Sequence, residues 1–286
     1  MKLTTNNNSE DKFIGLYNEL HKKISELSEP YFHEVADGVI IDKFIEPGTA
    51  QHYLKDGFIP FMKAVHVVKN SNEFIRRKLT EFYKINELRN LIVHDYEEGY
   101  QIVKIAQPTE YSLNLISETL DKLNNPLTVE EFLKAQKNEK VESVNMNTNI
   151  YELFQLIQGN KYTQFPVFDN ENFKGIVSDN GITFKLSQFA LEEKEFETLD
   201  LSTINVSDFI SLDEQRYHYK IIHGDEYLYN ILSEFEITSD QQSPPVLLIQ
   251  STDDLSEDLT PDSLIGILTS FDYFDIYKEA ISNNSF

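Results

Sequence analysis

Gly266-Ile-Leu-Thr-Ser-Phe-Asp272 closes a stretch of sequence that occurs twice in the C-terminal half of this chain. An apolar helical run, Tyr227-Leu-Tyr-Asn-Ile-Leu232, leads to a proline-headed strand, Pro245-Val-Leu-Leu-Ile249, and then to Gly266-Ile-Leu-Thr269. The earlier copy reads Tyr151-Glu-Leu-Phe-Gln-Leu-Ile157, Phe165-Pro-Val-Phe-Asp169 and Gly175-Ile-Val-Ser178. A duplicated unit predicts two copies of one small α/β module packed on each other, an arrangement that favours a paired ligand sensor over a single-site enzyme.

Working outward, the two copies occupy about residues 127–200 and 201–286, within a C-terminal region set at 126–286. When the prolines are matched, the gap from Pro166 to Gly175 is 9 positions and that from Pro245 to Gly266 is 21. The acidic stretch Ser251–Asp262 fills the difference and reads as a lengthened surface hairpin.

Residues 1–125 read instead as a mostly helical bundle, so the fold class is α+β/α: a helical domain followed by a pair of small α/β modules. Helical spacing runs from Phe13 to Leu27 and is expected to stop at Pro30. A second helix is expected through Ile40–Phe44, a third over 49–69 with a boundary at Pro60, and the longest over 72–96. Tyr100–Ile105 is a short β-branched segment, and 109–124 a last helix ended by Asn124-Asn125-Pro126.

Composition narrows the function. With 40% hydrophobic residues and 20 Phe the chain can build real cores. No apolar run is long enough to span a membrane, and the polar N-terminus lacks the core of a signal peptide, so the expectation is a cytoplasmic protein that makes no membrane contact. There is no cysteine, which removes disulfides, thiolate catalysis and thiolate metal sites. The net charge is −23, split unevenly: residues 1–125 carry 15 Lys+Arg against 19 Asp+Glu, and residues 126–286 carry 10 against 29. The acidic half repels a polyanion, so RNA contact is expected only at the N-terminal domain and DNA at neither. Arg76, Arg77 and Lys78, with Lys84 and Arg89, form the basic cluster nearest to such a role.

The repeated half resembles a tandem pair of CBS domains, a Bateman module. The resemblance covers about residues 127–282 and rests on the order of elements and on Gly-apolar-apolar-Ser/Thr-x-x-Asp at a strand-to-helix turn. It implies that the hydroxyl sits at a helix N-terminus, where free N–H groups favour a phosphate, and that the Asp accepts hydrogen bonds from a ribose. Gly266–Asp272 fits this pattern throughout, whereas the first copy has Gly181 where the Asp belongs, and Asp179 comes two positions early. One competent site is therefore expected for an adenine nucleotide or a cyclic dinucleotide, built on Thr269 and Asp272. Ile221, from the strand Tyr219–His223, and Val246 would cradle the base. In the other reading of the same residues, Thr269 only N-caps the last helix and Asp272 completes the cap.

In the N-terminal half, Arg89-Asn90-Leu-Ile-Val-His94-Asp-Tyr96 closes the longest predicted helix. The segment resembles the Arg-x-x-x-x-His-x-Tyr of HEPN domains, helical nucleic-acid-associated domains some of which are ribonucleases. The resemblance covers about 25 residues and implies metal-independent RNA cleavage of toxin or phage-defence type, with Arg89, Asn90, His94 and Tyr96 at the site. The chemistry suits these side chains: a His near neutral pKa can take the 2′-OH proton, and a guanidinium can stabilise the phosphorane. On one helix, Arg89 and His94 lie about 140° apart and about 7.5 Å along the axis. A working site thus needs a break near His94 or a second subunit, and a homodimer is expected. Without the chemistry, Arg89 would pair with a nearby acid and the helical domain would only dimerise or dock a partner, making the protein a non-enzymatic nucleotide-responsive regulator. No His spacing suggests a metal site, and none is expected.

Overall fold

A computed structural model of the chain describes residues 7–93, 97–98, 101–102, 106–136, 141–160, 163–192, 201–208, 210, 216–237, 243–251 and 258–282. The chain divides into two units: Met1–Leu127 with Ile276–Phe286, and Thr128–Asp275.

Helix α1 (Asn7–Ala36) organises the first unit. Its buried stripe of Phe13, Tyr17, Leu20, Ile24, Ser28, Phe32 and Val35 runs without interruption past Pro30. The helix was expected to stop at that proline. Pro30 instead lies on the exposed face, where the carbonyl it orphans can bond water and the ring meets no neighbouring element. Against this stripe pack α2 (Pro47–Asp56), α3 (Phe61–Val68) and α6 (Glu110–Asn124). Gly57, at φ 64°, gives α2 its left-handed C-cap, and Pro60 N-caps α3.

The helix expected over Ile40–Phe44 is absent. Asp42 accepts the backbone N–H groups of Phe44 and Ile45 on Oδ1 and the Tyr31 hydroxyl on Oδ2. These bonds hold a turn that outcompetes the helical ladder over so short a run. The long helix predicted over 72–96 is two helices, α4 (Glu73–Arg77) and α5 (Leu79–Val93). Phe74, Ile75, Phe82 and Ile85 are buried, but Leu91 and Val93 are exposed, so the apolar stripe loses its cover towards the end of α5. A two-residue pairing, β1 (Glu97–Glu98) with β2 (Gln101–Ile102), follows. Among the described residues, no helix is long and apolar enough to cross a membrane.

The second unit opens with α7 (Val129–Ala135) and then builds two three-stranded sheets of one topology. In the first, β3 (Val144–Asn145) runs parallel to β4 (Gln164–Asp169), which is antiparallel to β5 (Asn172–Ser178). In the second, β6 (Tyr219–His223) runs parallel to β7 (Val246–Gln250), which is antiparallel to β8 (Leu264–Leu268). Helices α8 (Ile150–Asn160) and α9 (Asp179–Glu192) cover the first sheet. In the second copy, a 3₁₀ segment (Asn230–Phe235) stands where α8 stands in the first, and α10 (Tyr273–Ala280) follows β8. Phe168 and Ile176 of the first sheet form one apolar cluster with Val246, Leu248 and Leu264 of the second, so the sheets face each other.

Register gives the correspondence between the copies. Val167 pairs with Gly175, and Ile249 pairs with Gly266. Pro166 therefore corresponds to Leu248, not to Pro245, which lies ahead of β7. The match of proline to proline was wrong, because one proline lies within its strand and the other only precedes one.

The segments leading into the two copies are exchanged. Val129 and Glu130 donate their backbone N–H groups to the carbonyls of Glu226 and Gly224, in the turn after β6. Val206 and Ser207 donate to Thr148 and Met146, in the turn after β3. Each leader carries the same local lock: Thr128 N–H bonds the Glu131 carboxylate, and Asn205 N–H bonds that of Asp208.

Candidate functional site

The strand β8 is followed by Thr269, whose extended backbone (φ −128°, ψ 176°) turns the chain into Ser270–Asp272 and then α10. Thr269 Oγ1 accepts the Phe271 N–H at 3.3 Å. Asp272 Oδ2 accepts the Thr269 N–H at 2.7 Å and the Thr269 hydroxyl at 3.0 Å. The capping arrangement is thus fully formed, and it leaves Oδ1 of Asp272 outside these bonds. Both side chains are half-buried. A hydroxyl and a carboxylate held this way at a strand-to-helix turn form a small polar platform whose geometry is set before any ligand arrives.

The corresponding residues of the first copy differ in chemistry and in access. Ser178 is 1% exposed, and its Oγ accepts the Gly181 N–H at 3.1 Å. Gly181 carries no acceptor, and the Asp179 carboxylate takes the N–H of its neighbour Asn180. The Ser178 hydroxyl is thus buried, and the position that matches Asp272 carries no carboxylate.

Ile221 and Val246 come together on one face of the second sheet, since Tyr219 pairs with Val246 and Ile221 with Leu248. That face continues onto β8 through Ile267, the partner of Leu248. Ile221 is 36% exposed, but Val246 is buried between the sheets and acts there as a packing residue. Sequence reasoning passed over Phe271, which stands inside the Thr-Ser-Phe-Asp run and is 89% exposed. An aromatic between a cap and its acid was the available signal, because a cap alone does not call for a bare ring.

In the first unit, Arg89 and Asn90 are adjacent near the end of α5. The Arg89 guanidinium carbon lies 5.7 Å from the centre of the Tyr17 ring, and Nη1 donates to Asn90 Oδ1 at 3.2 Å. Tyr17 is itself fixed by donating to Asn86 Oδ1, and burial pushes its phenol up to about 12, partly opposed by the Arg89 charge. His94 and Tyr96 lie outside the described residues. The basic cluster near them is less available than its sequence suggests: Arg76 and Arg77 both bond the carboxylate of the buried Glu73, and Arg77 also lies over the Tyr277 ring. No cluster of three His, Asp or Glu suited to a metal occurs among the described residues.

Comparison with known proteins bears on the second unit. Solved structures that match this chain include a CBS domain-containing protein of unknown function from Bacillus anthracis, at 18% identity and TM-score 0.37, covering 54% of this chain and 95% of that one. The CBS-pair protein CBSX2 from Arabidopsis thaliana matches at 18% identity and TM-score 0.35, over 54% of this chain and 96% of its own. CBSX2 in complex with AMP matches at 19% identity and TM-score 0.34, over 53% and 96%. A search of curated proteins returned no match. Residues 129–187 match the family described as the CBS domain. The C-terminal half of this chain therefore carries a CBS domain.

Proposed function

We propose that the second unit is a tandem CBS pair that binds one adenine-type nucleotide per chain at Thr269 and Asp272, and that it regulates the first unit. The carrying observation is the register. Gly266 stands to Ile249 as Gly175 stands to Val167, so the Thr269–Asp272 turn of the second copy occupies the place of Ser178–Gly181 in the matched copy. Only the second copy has an acid there. The free Oδ1 of Asp272 is the ribose acceptor, Ile221 flanks the base, and the turn into α10 offers its N–H groups to phosphate. Equilibrium binding of AMP, ATP and a cyclic di-adenosine nucleotide to the full chain tests this. One site per chain, weakened about tenfold or more by Asp272→Ala, is expected from the loss of a hydrogen bond to a charged acceptor. Two equivalent sites, or equal losses from Asp179→Ala, would refute it.

For the first unit we propose a dimeric HEPN-like effector that cleaves RNA without metal through Arg89 and His94, with Asn90 and Tyr96 beside them. A non-catalytic docking role is the second reading. It is favoured by the Arg89 guanidinium lying on a buried tyrosine and by Arg76 and Arg77 being committed to Glu73. Incubation of single-stranded RNA in EDTA separates the two: cyclic phosphate ends that disappear with His94→Ala support the nuclease, and uncut RNA supports docking.

A further inference from the structure

The first unit contains a cavity of about 490 Å³ between α3 and the turn that follows α1. Pockets that take small organic ligands run from about 300 to 1,000 Å³, so a molecule of ordinary metabolite size fits.

Its walls are fixed. The turn has no helix or strand, yet Asp42 pins it through three hydrogen bonds, to Tyr31, Phe44 and Ile45. On the opposite wall, His66 Nε2 is held by the Tyr83 hydroxyl at 2.6 Å.

Its charge runs against that of the chain. Lys43, Lys63 and Lys69 line the cavity, and Asp42 is the single acid among the lining residues. Both Asp42 oxygens already accept hydrogen bonds. None of the three lysines makes an ion pair within 4.0 Å among the described residues. Lys63 and Lys69 line the cavity together with His66, and burial, then the charges of Lys69 and Lys63, hold that histidine below the usual range. In a protein of net charge −23, a concave site with this surplus of cations is matched to an anion.

The rim is apolar. Phe44 is 85% exposed and Ile41 is 95% exposed, and both line the cavity. Large side chains bare to water beside cations suit a ligand with a charged end and a flat apolar end. Lysines act as point charges towards phosphate, and two of them meet a dianion better than a monoanionic carboxylate.

We infer that this cavity binds a small organic phosphate, its phosphate held between Lys63 and Lys69 and its planar apolar part resting on Phe44 and Ile41. The site is separate from the Thr269–Asp272 turn and does not depend on the reading of that turn.

Phenyl phosphate is the probe, titrated calorimetrically into the full chain, with inorganic phosphate and phenol as its two halves. Binding of one phenyl phosphate per cavity is expected, with each half weaker by about tenfold, equivalent to about 1.4 kcal/mol. Lys63→Gln, Lys69→Gln and Phe44→Ala should each weaken it severalfold with an unchanged melting temperature, and Asp272→Ala should leave it as it was. Lys63 and Phe44 are exposed, so their replacement tests the site without threatening the fold. Absence of binding at millimolar probe, or binding indifferent to the lysine and Phe44 changes, overturns the inference. Loss of binding in Asp272→Ala also overturns it, by moving the probe to the other site.

Discussion

The Arg89 guanidinium rests on the ring of Tyr17, 5.7 Å from its centre, and Tyr17 is 3% exposed. This contact gives Arg89 a role in packing that the sequence did not suggest. A cation over a partly desolvated ring contributes about 0.5–2 kcal/mol. Arg89→Ala should therefore lower the unfolding free energy obtained from urea titration by an amount within that range, whatever it does to RNA. His94→Ala serves as the contrast: abolished cleavage with an unchanged midpoint assigns chemistry to the histidine. Loss of activity in Arg89→Lys at full stability would separate guanidinium chemistry from packing, because lysine keeps the charge and lacks the planar fork.

The cap that Asp272 makes and the ribose contact proposed for it can be divided by substitution. Removing its carboxylate breaks the cap on the Thr269 N–H, which costs about 0.5–2 kcal/mol of stability. Asp272→Asn keeps a capping acceptor and should recover most of that stability, while nucleotide affinity stays low for want of the charged acceptor. Thermal melts with and without AMP read both effects on one sample, since a ligand that binds only the native state raises the midpoint. Ser178→Ala should cost stability through the lost Gly181 bond and leave ligand affinity unchanged.

The two paired glycines should differ in what an added methyl does. At Gly175, φ is +128°, and a Cβ would lie 2.7 Å from the Arg216 carbonyl oxygen, so Gly175→Ala meets both backbone strain and a fixed atom. At Gly266 the Cβ would meet Leu133 Cδ1 at 2.3 Å, the end of a side chain that can turn. Gly175→Ala should cost about 2–4 kcal/mol and Gly266→Ala about 1–3. Leu133→Ala should relieve part of the Gly266→Ala loss, a coupling that a double-mutant cycle measures directly.

The Tyr31–Asp42 bond predicts one part of the acid response. That hydrogen bond, chiefly, holds the Asp42 carboxyl below its ordinary value of 3.8, and the carboxylate in turn raises the Tyr31 phenol to about 12. A carboxyl with a depressed native pKa contributes stability that is present above its unfolded value and is lost as pH falls from there through the native value. Tyr31→Phe should flatten the stability profile below about pH 4 relative to the parent chain and leave it parallel at neutral pH. Urea midpoints taken from pH 5 down to pH 3 decide it.

The sequence carried the duplication well, because Gly-apolar-apolar-Ser/Thr marks a physical necessity: a strand pressed against a neighbour and then turned into a helix. It carried the strand register poorly. Proline was used as the landmark, yet proline is placed by local backbone freedom and not by pairing, so Pro245 and Pro166 fell at different depths. In the first unit, helix positions followed from apolar spacing, but Pro30 and the Ile40–Phe44 segment around Asp42 were each misread. Whether a proline ends a helix depends on which face it occupies. Whether an aspartate makes a turn depends on a tyrosine eleven positions away. The charged cluster was misread for a related reason: composition counts Arg76 and Arg77 as available cations, and only the fold shows both committed to Glu73. At the turn after β8, the cap between Thr269 and Asp272 was legible because its spacing is local. The burial of Val246 and the exposure of Phe271 were not, since both depend on how the two sheets close.

The exchanged leaders have a consequence for how the second unit comes into being. Thr128 and Val129 have their partners at Tyr227 and Glu226, so on the ribosome the leader of the first copy waits, unpaired, until β6 of the second copy and the turn after it have been made. Contacts so distant in sequence are slow to close, and they tie both copies to a single folding event. A stop codon between the copies would remove the Val206 and Ser207 bonds to Thr148 and Met146, so the first copy alone is expected to be less stable than the same copy within the pair.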